Sequence, residues 1–129
     1  MQAFSRWTAR GLFGTALVAL SLVVPQVASA DVTVEGPFYD LAGTTIDGTE
    51  TYEVTVCPGA FWAHIGFEEV GVDYIWQFFI PPFAARGTGC DGGITEYVDT
   101  TLLSEGPHTF RGEINYEDYS DEFTVTIDR

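Results

Sequence analysis

The stretch "VDYIWQFFIPPF", Val72 to Phe83, packs aromatic rings into an otherwise acidic chain. It is either a strand of the core or an aromatic surface that grips a ligand. Read with a period of two, it splits into Val72, Tyr74, Trp76, Phe78 and Ile80 on one face and Asp73, Ile75, Gln77 and Phe79 on the other. The first set is unbroken apolar, so it is the predicted core face, with Trp76 near the middle of the packing. The second set is half polar, which suits a central strand whose outer side is only partly covered. Ile75 and Phe79 would then start an exposed apolar patch. Pro81 and Pro82 end the strand, because neither can donate to a sheet ladder.

The same alternation extends in both directions. "TYEVTVC" puts Tyr52, Val54 and Val56 together, and "FWAHIGF" puts Phe61, Ala63, Ile65 and Phe67 together. "PHTFRGEINY" groups Phe110, Ile114 and Tyr116 against Thr109, Arg111, Glu113 and Asn115; "EFTVTID" groups Phe123, Val125 and Ile127. "DVTVEG" offers Val32 and Val34, while "GITEYVDTTLL" offers Ile94, Val98 and Leu102 with Tyr97 competing from the other face. No helical stripe of any length appears beyond residue 30. About seven short strands separated by Gly, Pro and Asp turns predict an all-β chain. The expected form is an antiparallel two-sheet sandwich of immunoglobulin-like architecture, its last two strands forming a hairpin over "EDYSD".

Residues 1–30 read as a secretory signal peptide: Arg6 and Arg10, then the apolar run Gly11 to Val24, then Pro25 and "ASA" before Asp31. The apolar run is shorter than the roughly 20 residues that a membrane span needs. The expectation is a secreted, extracellular protein with one domain over residues 31–129. Removal of the leader leaves three arginines, Arg86, Arg111 and Arg129, against 19 acids, a net charge of −16 without a single lysine. Such a charge repels nucleic acid and anionic lipid, so neither is an expected partner, and it attracts cationic partners or divalent ions. In an exported protein Cys57 and Cys90 read as a disulfide rather than a redox pair. Closing a loop of about 34 residues contributes roughly 3–4 kcal/mol on the chain-entropy estimate.

Candidate functional residues are few. Parity sends Trp62 and His64 to the outer face, where an indole could stack on a sugar or anchor a protein. A bulge near Gly59 or Gly66 would instead turn Trp62 inward. Trp62, His64, Ile75, Phe79 and Arg86, the last on the long loop "IPPFAARGTGCDGG", form the candidate binding surface. The acids Glu117, Asp118, Asp121 and Glu122 could collect Ca²⁺, but no calcium-loop spacing is present, and solvated surface charge is the preferred reading. No other cofactor is expected. A blue-copper set is excluded, since the only Met is the initiator. Neither Ser104 nor Ser120 lies in a nucleophile elbow.

These readings describe a small acidic non-catalytic domain that binds an extracellular protein, with enzyme inhibition as one form of that role. The alternatives are a stand-alone carbohydrate-binding module and a structural surface or matrix component bridged by divalent cations.

Overall fold

The computed structural model describes residues 31–79 and 88–129. Residues 1–30, read above as a signal peptide, and the segment 80–87, which holds Ile80, Pro81, Pro82 and Arg86, lie outside the described residues. The described chain is all β apart from three short 3-10 turns, and its strands form two sheets. β1 (Val32–Glu35), β3 (Thr51–Pro58) and β6 (Ile94–Asp99) make a three-stranded antiparallel sheet in the order β1-β3-β6. The second sheet runs β2 (Thr45–Ile46), β9 (Phe123–Ile127), β7 (Gly106–Ile114), β4 (His64–Glu69), β5 (Asp73–Phe79), with β8 (Asp118–Tyr119) paired to β7. Its pairs are antiparallel except β2 with β9, which is parallel.

β1 and β3 pack across β7. Gly112 makes the close approach possible: a Cβ there would lie 2.9 Å from Val34 Cγ2 and 3.0 Å from Val56 Cγ1. Alternation holds where strands are regular. Val32, Val34, Val54, Val56, Ile65, Phe67, Phe110, Ile114, Phe123, Val125 and Ile127 are all buried between the sheets. The centre of the core is Phe38, from the turn after β1. Its ring meets Phe110, Phe123 and Phe67 edge-on at centroid distances of 5.0, 5.8 and 6.1 Å. The Phe38 N–H donates to the Glu53 carbonyl and holds that turn over β3. The Cys57–Cys90 disulfide ties β3 to the turn before β6.

The expected faces of β5 fail, for a specific reason. His64, Ile65, Gly66 and Phe67 pair with Phe79, Phe78, Gln77 and Trp76, but Glu68 pairs with Tyr74. Ile75 is therefore an inserted bulge residue, and the period of two is reset there. Tyr74 moves to the outer face with Gln77 and Phe79, while Ile75 packs against the core beside Trp76. β5 is also the last strand of its sheet among the described residues, not a central one. Trp76 is accordingly only half-buried.

Three further expectations are corrected where a strand is shorter than its pattern. β4 begins at His64, so Phe61 and Ala63 are exposed and Trp62 is buried in the irregular approach. Leu102 lies in a 3-10 turn and is 82% exposed, while Leu103 takes the buried position. β7 stops at Ile114, and Tyr116 lies in the turn that follows.

Candidate functional site

The outer face of β4, β5 and β7 is not a plain solvated surface. It holds a buried carboxylate, Glu113, with no exposure. Alternation puts Glu113 outward on β7, and strand pairing sets it beside Gly66 of β4. Three donors converge on it. Tyr74 Oη donates to Oε1 at 2.8 Å, His64 Nδ1 lies 3.0 Å from Oε2, and the Tyr116 N–H donates to Oε2. The opposite ring nitrogen of His64 meets the Gln77 side-chain amide at 2.7 Å. A buried anion is tolerated when its lone pairs are filled in this way. Burial, followed by the hydrogen bond and charge of Glu113, pushes the Tyr74 phenol far up, so it remains a donor at any ordinary pH.

Gly66 makes room for this network. A Cβ there would lie 2.7 and 2.9 Å from the Tyr74 ring. Above the network lie exposed rings. Tyr116 stacks on His64 at 3.9 Å and 14°, and Phe79 lies 4.7 Å from His64 and 6.3 Å from Tyr116. Phe79 is 65% exposed and Tyr116 54% exposed.

The turn that presents Tyr116 is unusual for its sequence. Asn115 (φ 56°) and Tyr116 (φ 62°) are both left-handed, and Glu117 N–H donates to the Ile114 carbonyl. Two consecutive left-handed positions are best filled by Asn-Gly. Asn115 fits, and its side chain accepts from Ala63 N–H at 2.8 Å and donates to the Phe61 carbonyl at 3.1 Å. Tyrosine is a costly choice at the second position, because its Cβ crowds the backbone. The Glu113 carboxylate on its N–H and the His64 ring beneath it hold it there.

The sequence-derived candidates divide as follows. Cys57 and Cys90 are bonded to each other. Phe79 is exposed on the outer face as expected. His64 is on that face but only 2% exposed, so it supports the surface from below. Trp62 is corrected: it is 4% exposed, and its indole N–H donates to the Gly92 carbonyl at 3.2 Å. Ile75 is corrected by the bulge. Arg86 lies outside the described residues.

Glu117, Asp118, Asp121 and Glu122 do not gather donor atoms on one point. Among the described residues the one group of three or more donors within 4.8 Å is Glu35 with the two disulfide sulfurs, and bonded cysteines are not thiolate ligands. Glu122 instead lies 3.6 Å from Arg111, which also binds Glu68 at 2.6 Å and covers the Tyr119 ring.

A second cluster, on the core-facing side of the sheet where β4 ends and β7 begins, sets Ser104, His108 and Glu69 in the order of a nucleophile, a base and an acid. His108 Nδ1 is 2.7 Å from Glu69, but Nε2 is held by the Ser104 carbonyl at 2.7 Å, and the Ser104 hydroxyl is 3.5 Å away. An imidazole that donates from both nitrogens has no lone pair to accept a proton. The cluster ties the end of β4 and the start of β7 to the segment before β7.

No protein-family model matches the chain, and a search of curated proteins finds no match.

Proposed function

We propose that this chain is a small, acidic, secreted, non-catalytic domain that binds an extracellular protein through the rings of Phe79 and Tyr116. The observation that carries the reading is Tyr116 itself. It occupies a left-handed turn position that glycine fills at less cost, and a buried carboxylate and a histidine brace it so that its ring meets solvent. Backbone strain and buried charge kept in one place are the signature of a preorganised contact. Exposed aromatic rings held rigid are the side chains that anchor protein interfaces. An immunoglobulin-like sandwich is proposed with it. Support comes from the strand order β1-β3-β6 facing β9-β7-β4-β5, which has the form A-B-E facing G-F-C-C′.

A second reading has one observation in its favour. Tyr116 stacks one ring face on His64 and leaves the other outward, as a platform for a sugar ring would. The deciding experiment immobilises wild type, F79A and Y116A and passes native medium, then insoluble polysaccharides, over each. Capture of a protein that survives high salt and is lost in both variants supports the proposal. Capture equal in all three, or lost in salt, marks attraction to the acidic surface alone and refutes it. Retention on a polysaccharide that depends on Tyr116 selects the second reading.

A further inference from the structure

We propose that His108 is a proton-operated latch, closed while its ring carries both protons and released when one is lost. The ring joins two segments far apart in sequence. Glu69, at the end of β4, accepts from Nδ1; the carbonyl of Ser104, in the segment before β7, accepts from Nε2. The side chain is 9% exposed, so water does not readily replace either acceptor. Only the doubly protonated ring can serve two acceptors at once. A neutral ring keeps one N–H and turns a lone pair toward either a carboxylate or a carbonyl, which repels it.

The surroundings of the ring are simple. From β4 it faces the Glu69 carboxylate; from the preceding segment it faces the Ser104 carbonyl and hydroxyl. On its own strand Phe110 lies 6.3 Å away at 24°, and its cross-strand neighbour on β9 is the buried Val125. Among the described residues Glu69 is the one charged group acting on it. Burial lowers the imidazolium's affinity for its proton, but the Glu69 hydrogen bond, the Ser104 carbonyl and the Glu69 charge together raise it above the ordinary histidine value.

The direction of the effect follows. A group that binds its proton more tightly when folded stabilises the fold fully below the unfolded value, about 6.5, and loses that contribution as pH rises through the folded value. Release frees the turn after β4, where Val70 N–H donates to the Thr109 carbonyl, and loosens the segment that carries Leu103. Arg129 holds that segment's other side through the carbonyls of Leu103 and Thr100, independently of pH. The latch therefore opens one side of the segment and leaves the other tethered.

The test compares urea unfolding of wild type and H108Q at about pH 5.5 and 8.5, together with a ¹³C-edited NMR titration of the His108 Cε1–H. The two proteins differ only at position 108, so the difference between them isolates that side chain. Between the two pH values the folding constant of wild type should fall at least about threefold more than that of H108Q. The His108 midpoint should lie above 6.5. In wild type the Val70 and Leu103 amides should exchange faster at the higher pH than base catalysis explains. Equal pH slopes in the two proteins, or a midpoint at or below 6.5, would overturn the latch. If H108Q does not fold, E69Q in the same titration decides: its His108 midpoint falls if the latch is real and stays put if it is not.

Discussion

Adding one methyl group at Gly66 should expose the energetic role of the network under Tyr116. In Gly66→Ala the new Cβ would lie 2.7 Å from Tyr74 Cε1 and 2.9 Å from Cδ1, and 3.2 Å from the Trp76 carbonyl oxygen. The backbone of a paired strand cannot retreat, so the Tyr74 ring must swing away, and its hydroxyl leaves Glu113. A buried carboxylate that loses one of its donors costs about 1–3 kcal/mol. Alanine recovers roughly 0.5–1 kcal/mol over glycine in a strand interior. Taking the middle of each range, the net loss is about 1 kcal/mol, which for a domain of this size lowers the melting temperature by roughly 4–8 °C. Urea unfolding of wild type, G66A, Y74F and the double variant measures it. If the methyl group acts by displacing the hydroxyl, G66A should cost much less in the Y74F background, with a coupling of about 1 kcal/mol or more. Strictly additive effects, or a G66A protein as stable as wild type, would refute the account of why glycine stands at this position.

The other predictions concern separate parts of the fold. At position 116, glycine should unfold at a higher urea concentration than alanine, because both lose the His64 stack but only alanine keeps the left-handed strain; the reverse order would mean the turn is not left-handed there. Gly112→Ala should lose about 1–3 kcal/mol, since its Cβ meets Val34 and Val56 where the two sheets touch; a neutral result in denaturant titration would contradict the close approach. Removing the disulfide with the C57S/C90S pair should cost about 2–5 kcal/mol, read as a drop in unfolding midpoint. In W76F made without residues 1–30, which carry Trp7, the remaining indole at 62 should emit in the blue and resist acrylamide, while in W62F made the same way the indole at 76 should quench more readily; equal quenching would contradict their different burial.

Much of the fold was legible, and the reason is periodicity. β3, β7 and β9 run five to nine residues without interruption, and there the alternating residues sort to the core as the pattern says. The pattern misled wherever regularity stopped. One inserted residue, Ile75, reversed the faces of the N-terminal half of β5, and nothing in "VDYIWQFF" marks the insertion, because every residue there suits a strand. Trp62 turned inward because β4 starts at His64, three residues later than its alternation suggests. Phe38 escaped notice as the centre of the core because it comes from a turn, which carries no period.

The candidate site was half legible. His64 and Glu113 both read as outward residues, and Asn115-Tyr116 carries a signal that could have been found: a tyrosine where Asn-Gly would be ordinary in a hairpin. That His64 and Glu113 face one another could not be read, because β4 and β7 are neighbours in space and about 50 residues apart in sequence.

By itself the amino-acid order determined what local forces and composition decide: extended segments, their uninterrupted faces, the turn positions, a lone pair of cysteines free to bond only each other within the chain, and the heavy negative charge. Tertiary structure alone decided which strands lie side by side, where the ladder slips by one residue, and that His64 on β4 and Glu113 on β7 meet and are sealed from water. The physical reason is that pairing and burial are contacts between distant residues. Their energies depend on geometry that no single segment contains.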